Sequence, residues 1–383
     1  MNTLPNGWER KKISESYRIL NNLRKPISEE IRELNKGDYP YYGSTKIQSY
    51  INTYEQDGEF VLIGEDGDHF LKHSTHKMTQ LISGKCTVNN HAHVIASTDI
   101  ASIEWFYYYF MHKDITKYLT RQGAGRFKLT KVALEKIPIL LPPLSEQTKI
   151  AEILSTWDKA IQTTEQLLAN SQQQKKALMQ QLLTGKKRLK GFSGEWRKTR
   201  LINLLKEEKA RNRDNQVTRV LSVTNHSGFV LPEDQFSKRV ASEDISNYKI
   251  VKKGQFAYNP SRLNVGSFAR LDKFGDSTLS PMYVVFSIKS KELNSDFFLY
   301  WMQSHEAKQR INNSTQGSVR ESVGFDALCS FPFALPSLSE QQKIAQILST
   351  QDQEIDTLQQ KLTCLKQEKK ALMQKLLSGK VRV

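Results

Sequence analysis

Cysteine is scarce: Cys86, Cys329 and Cys364 are the three in a chain of 383 residues. They are too few and too scattered for a disulfide framework or a paired-cysteine zinc knuckle, and reduced thiols are the simplest reading. Long apolar runs are missing too. No stretch approaches the roughly 18 consecutive apolar residues that a membrane helix needs. The opening MNTLPNGWERKK lacks the apolar core of a secretory signal, which predicts a cytoplasmic protein. Acid is short relative to base, 40 Asp and Glu against 56 Lys and Arg, a net charge of +16 and a pI near 9.5. Such an imbalance points to a polyanionic partner, most often nucleic acid.

Catalytic signatures are also wanting. A phosphate loop needs Gly-x-x-x-x-Gly-Lys-Ser/Thr, and Gly84-Lys85 and Gly185-Lys186 have neither the upstream glycine nor the hydroxyl. A methyltransferase should show a glycine-rich cofactor loop and an Asn-Pro-Pro-aromatic site. Tyr258-Asn259-Pro260-Ser261 lacks the second proline and the aromatic, and reads as a turn. No Pro-Asp followed at usable spacing by an acid-x-Lys pair marks a nuclease. His69, His73, His76, His91 and His93 lie near Cys86, but without a paired-cysteine half they read as hydrogen-bonding and phosphate-facing groups, so no metal site is assigned.

What is present is a repeat. Leu141–Leu189, LPPLSEQTKIAEIL…KKALMQQLLTGKKRL, returns 194 positions later at Leu335–Val383 as LPSLSEQQKIAQIL…KKALMQKLLSGKVRV, with 30 of 49 positions identical and no gap. The repeat divides the chain into two globular stretches, each followed by a long helix. Ser145 is the expected N-cap, Glu146 suits the first turn, and Gly185 supplies the left-handed stop after Thr184. About 40 residues at 1.5 Å each make a rod near 60 Å.

Its seam runs through Ile150, Leu154, Trp157, Ile161, Thr164, Leu168, Ser171, Lys175, Leu178 and Leu182. In the second copy it runs through Ile344, Leu348, Gln351, Ile355, Leu358, Leu362, Leu365, Lys369, Leu372 and Leu376. Alternating steps of three and four are a coiled-coil pattern, and a lysine at the same seam position in both copies disfavours slipped registers. Two such rods on one chain pair most simply with each other. Antiparallel pairing leaves room for the second globular stretch and implies a pseudo-two-fold relation.

The domains are therefore 1–141, a long helix over 142–185, a basic glycine-rich linker at 186–194, 195–335, and a second long helix over 336–383. The fold class is α+β, with two α/β units joined by two long helices. In the first unit strands are expected at Phe60–Ile63, Val88 and His93–Ile95, a helix over Ser102–Tyr118, and a final strand at Ile137–Leu141. In the second unit strands are expected at Arg219–Val223, Lys249–Val251, Gln255–Tyr258 and Tyr283–Ile288, with a helix over Asp296–Ile311. Thr315–Arg320 is the counterpart of the glycine-broken basic loop Arg121–Lys128.

The whole pattern resembles the specificity subunit of Type I restriction–modification systems. The resemblance is carried by the paired LPPLSEQ/LPSLSEQ starts, the KKALMQQLLTGKKRL/KKALMQKLLSGKVRV ends, and the linker to Gly194-Glu195-Trp196. GEDGDHFLKHSTHKMTQLISGKCTVNNHAHVI, YNPSRLNVGS and SPMYVVF extend it through both units. It implies a non-catalytic subunit whose two target recognition domains each read half of a bipartite duplex. The helices would set the spacing and dock two modification subunits, and motor-nuclease subunits would complete the complex. It implies no cofactor in this chain; S-adenosylmethionine, ATP and Mg would belong to partner subunits of an adenine-N6 methyltransferase and endonuclease. Trp157, Thr164 and Ser171 become Gln351, Leu358 and Leu365 in the second copy, so the two docking faces need not be equivalent. The alternatives are the specificity subunit of a Type IIB-like system, an autonomous DNA-modifying enzyme, and a coiled-coil scaffold without a DNA role.

Phosphate anchoring needs Lys and Arg, and base reading needs Arg, Lys, Asn or Gln on a rigid frame. Polar groups on glycine-marked loops are therefore the DNA-binding candidates. In the first unit these are Ser44, Thr45, Lys46, Lys72, His73, Lys77, Lys85, Asn89, Asn90, His91, Arg121, Arg126 and Lys128. In the second they are Arg219, Asn225, Lys238, Arg239, Asn259, Ser261, Arg262, Asn264 and Arg320.

Overall fold

The computed structural model describes residues 4–122, 126–235, 244–315 and 322–383. The chain divides into two compact units: residues 1–165 with 360–383, and residues 166–359.

In the first unit a six-stranded sheet runs Arg18–Ile19, Ala92–Ala96, Gln56–Gly64, Thr79–Val88, Lys36–Tyr42, Ile47–Ile51. Its spine is the antiparallel hairpin that pairs Gln56 with Cys86 and Ile63 with Thr79. Strand alternation sends Val61 and Ile63 to one core and Leu62 to another, so the sheet is covered on both faces. The larger core gathers around the aromatic helix Ile103–Phe110, which buries Trp105, Phe106 and Phe110, with Trp105 edge-on to Trp8. Ile150 and Leu154 from the first long helix and Met373 and Leu376 from the second complete it. Glu9–Lys12 pairs antiparallel with Pro138–Leu141, so the start of the unit lies beside the strand that feeds the long helix.

The second unit holds a four-stranded antiparallel sheet in the order Leu205–Glu207, Val284–Ile288, Phe256–Tyr258, Phe268–Arg270. The same device recurs: Arg197–Arg200 pairs with Pro332–Leu335, and an aromatic helix, Ser295–Gln303, buries Phe297, Phe298 and Trp301. That core also takes in Leu182, Ile344 and Leu348 from the two long helices, and Leu183 just past the end of the first.

The long helices are Leu144–Leu182 and Leu338–Leu376, 39 residues each. Gly185 and Gly379 follow them at φ +70° and +71°, a conformation glycine adopts without penalty. None of the seam residues is exposed. Three local expectations need correction. The first helix begins at Leu144, with the Glu146 and Gln147 amides donating to the Pro143 carbonyl, so Ser145 is not its cap. In the second copy Ser337 fills that role, its hydroxyl accepting from the Glu340 amide at 3.3 Å. The helix expected over Ser102–Tyr118 stops at Phe110. Beyond it the Asp114 carboxylate binds the Thr116 amide and hydroxyl at 3.0 and 2.6 Å, closing a local turn. The helix expected over Asp296–Ile311 is two helices, Ser295–Gln303 and His305–Thr315. Ser304 breaks it, its extended backbone (ψ 161°) letting its hydroxyl cap the Ala307 amide.

Candidate nucleic-acid interface and its seat on the long helices

Each unit is seated on its helix pair by the same side chains, repeated. In the first unit Asp158 accepts from Lys369 Nζ at 2.6 Å and from the Tyr108 hydroxyl at 3.0 Å. The ammonium lies 5.4 Å from the centre of the Tyr108 ring. In the second unit Asp352 accepts from Lys175 and, at 2.8 Å, from Tyr300, whose ring is 5.7 Å from the ammonium. Burial lowers the Lys369 pKa against the opposing pull of Asp158. Burial, reinforced by the aspartate, raises both tyrosines. Within the first unit Glu165 also meets Lys366 at 2.7 Å, and within the second Ser171 meets Glu354 at 3.1 Å. Numbers rise on one helix as they fall on the other, so the pairing inside each unit is antiparallel.

The LSEQ motif has a role of its own. Gln147, fully buried, donates to the Ile100 and Pro142 carbonyls, both at 2.8 Å, and accepts from the Ser102 amide at 2.9 Å. Ser102 is the N-cap of the aromatic helix, so one amide ties the long helix to it. Gln341 does the same with Glu292, Pro336 and Asn294, the N-cap of Ser295–Gln303. Glu146 takes a two-pronged bond from Arg382 (2.6 and 2.8 Å) and one from the Trp8 indole (3.1 Å). Burial would raise its pKa, but these donors hold it below the ordinary carboxylate value. Glu340 is gripped in the same manner by Arg188 and Trp196. Sequence reading missed this clamp, although its signal was there: Glu and Arg recur in both copies, and a tryptophan opens both units.

Around Glu65–Gly67 in the first unit the candidate loops converge. His91 reaches Asp66 at 2.8 Å, the Gly67 amide donates to Phe127, and the carbonyl of Ser44 lies close to Gly64. Beneath them is a charged network that the sequence did not announce. Glu65 binds Arg24 and, at 3.2 Å, Lys128, and lies 3.9 Å from the wholly buried His93. Burial would raise the Glu65 pKa; the Arg24, His93 and Lys128 contacts keep it low. His93 is depressed by burial, and accepts from the Asn21 amide group while donating to the Leu129 carbonyl at 2.7 Å.

Lys46, Lys72, Lys77, Lys85, Asn90 and Arg121 are exposed, and Ser44, Thr45, His73, His91 and Lys128 are half-buried. Two candidates turn away from the cluster. Lys85 stands over the Tyr54 ring at the Asp57 end of the hairpin, and Lys77 donates to Tyr107 near Asp158. Asn89 is a correction: it is 3% exposed, with its amide on Gln48 and its carbonyl oxygen on the His91 amide. It holds the turn and offers no polar group to a ligand. Arg126 belongs to the strand Arg126–Lys128, but its side chain lies outside the described residues. In the second unit Arg219, Asn225, Ser261, Arg262 and Asn264 are exposed and Asn259 is half-buried, while Lys238, Arg239 and Arg320 lie outside the described residues. Among the described residues no group of three His, Cys, Asp or Glu is placed to hold a metal, and no helix is long and apolar enough to cross a membrane.

Comparison with known proteins converges. A family model for the Type I restriction modification DNA specificity domain matches residues 5–171 and again 185–367. A putative type I restriction enzyme specificity subunit from Haemophilus influenzae is 40% identical over 146 residues, which are 38% of this chain and 36% of that protein's own length. The MjaVIII type I specificity subunit of Methanocaldococcus jannaschii is 23% identical across 99% of this chain and 94% of its own. In fold, the crystal structure of a Type-I restriction-modification system S subunit from M. genitalium aligns with a TM-score of 0.64 at 13% identity, covering 98% of this chain and 97% of that one.

Proposed function

We propose, for a chain that belongs to the Type I restriction–modification DNA specificity family with one family domain in each half, that each unit reads one half of a bipartite duplex target. It acts without catalytic groups of its own, in the cytosol, and directs modification subunits that carry S-adenosylmethionine. Motor-nuclease subunits using ATP and Mg act on the same address. The observation that carries this reading is the doubled seat. Two units with different loops are fixed to the long helices by the same Tyr–Asp–Lys, Gln and Glu–Arg contacts. Unlike readers on like mounts suit two unlike half-sites. Half-sites on a duplex are set apart by geometry, and readers seated on long helices suit that demand.

Much of the identity between the helical repeats is used inside each unit. Identical positions that remain exposed, such as Lys149 and Lys343, Gln173 and Gln367, Lys176 and Lys370, are the surface left for two modification subunits. Co-expression with the modification subunit in a methylation-free host, followed by genome-wide mapping of modified adenines, tests the proposal. One bipartite motif is expected; a continuous motif, or none, would refute it. Binding should also weaken steeply with salt, as phosphate contacts release counterions.

A further inference from the structure

Three loops of the second unit meet at one edge: residues 224–228, 259–267 and 280–283. They are stitched at the base. Ser267 Oγ donates to the Val223 carbonyl at 2.7 Å, and the Val223 amide donates to the Tyr283 hydroxyl at 3.4 Å. Asn259 Nδ2 lies 3.9 Å from Met282 Sδ. The middle loop is anchored by buried Leu263 and turned by Gly266 at φ +93°. None of the three carries a carboxylate. On these joined loops Asn225, Arg262 and Asn264 are exposed, as are Val265 and Met282, at 59% and 60%.

A single exposed aliphatic side chain is ordinary. Two on stitched loops whose own sequences carry amide and guanidinium groups and no carboxylate match the major-groove face of an A·T-containing step. There adenine offers N7 and N6 to an amide side chain, and thymine offers its 5-methyl group to an apolar one. We infer that Val265 and Met282 form an apolar reading edge for thymine methyl groups in the half-site of the second unit. The inference rests on the DNA-reading function proposed above and deepens it.

The test uses the full chain and duplexes carrying the mapped motif. Thymines are replaced one at a time by uracil, which removes only the methyl group. For the unaltered chain at least one replacement should weaken binding roughly fourfold, the weight of one buried methyl. In Met282→Ala or Val265→Ala that same replacement should have no further effect, whereas Met282→Leu should keep the dependence. Both side chains are exposed, so melting temperatures should match the parent. If the motif is bound specifically but no uracil effect is abolished by either variant, the reading edge is refuted and the DNA-reading function stands. If no sequence-specific binding is seen, both fall.

Discussion

Replacing Asp158 with alanine removes the carboxylate paired with Lys369, whose side chain is 8% exposed and 2.6 Å from it. The buried ammonium then keeps its desolvation penalty and loses its compensation. Breaking one partner of a buried pair costs about 3–5 kcal/mol, and the 30% exposure of Asp158 places this case at the low end, about 3 kcal/mol. The Tyr108 hydroxyl loses its acceptor in the same variant. Lys369→Met behaves differently. It replaces the ammonium with an apolar group of similar length in a seam already flanked by Leu372, Met373 and Leu376, and buried ion pairs exchanged for apolar packing are often neutral or gain stability. The double variant Asp158→Ala/Lys369→Met should therefore recover most of the loss. Hydrogen exchange over residues 103–110 and 366–376 reads this locally, and the melting temperature should fall by about 2–4 °C for each kcal/mol. Equal losses in the two single variants, or a double variant no better than Asp158→Ala, would refute the reasoning. In the second unit Lys175 and Asp352 are more exposed, at 22% and 37%, so Asp352→Ala should cost less.

The first unit should also be acid-labile. His93 is depressed by burial, so as pH falls below its ordinary value of 6.5 the unfolded chain takes up a proton that the fold refuses. Its contribution is complete above pH 6.5 and lost on acidification. Glu65, held low, adds a further loss below about pH 4.5. Exchange protection of Ala92–Ala96 measured from pH 7 to 5 should fall, and His93→Gln should flatten that dependence. Arg382→Ala and Arg188→Ala, each stripping a two-pronged donor from a buried glutamate, should lower the melting temperature of the first and second units respectively. A heptad added to both long helices at matched positions, about 10 Å, should change the permitted gap between half-sites in mapped methylation and leave their bases unaltered.

The long helices were legible because periodicity sustained over five heptads has few rival explanations, and the positive-φ glycine after each was legible because few other residues stop a helix so cheaply. Short breaks were not. Nothing in the apolar pattern of SIEWFYYYFMHKDITKY marks Phe110 as the end: just past it the Met111 carbonyl accepts from the distant Met78 amide, and the Asp114 side chain closes a turn two residues on. Ser304 looks like any polar residue on a helix face until its hydroxyl caps the next helix. The recognition loops show the same limit. Asn89 and Asn90 are adjacent asparagines in one turn, yet one is buried in holding that turn and the other is exposed. Composition cannot separate them, since the same amide serves both ends and only the path of the backbone chooses.

The repeat itself changes meaning once its side chains are placed. Near-identity of the two helices invites the explanation that two copies of one partner must find equal surfaces. Yet Glu146, Gln147, Asp158, Lys175 and Arg188, with their counterparts Glu340, Gln341, Asp352, Lys369 and Arg382, are all engaged inside a unit. The aspartate of one copy meets the lysine of the other, so neither copy of the pair can drift alone. A lysine moved by one position in either helix would lose its aspartate and its tyrosine ring together. Self-docking is thus enough to keep these positions alike, and the proposed partner docking would be needed only for the exposed identities such as Lys176 and Lys370. The two demands predict different damage. Substitution of the buried set should unseat a recognition unit in the isolated chain. Substitution of the exposed set should leave the isolated chain intact and show itself only when the modification subunit is added.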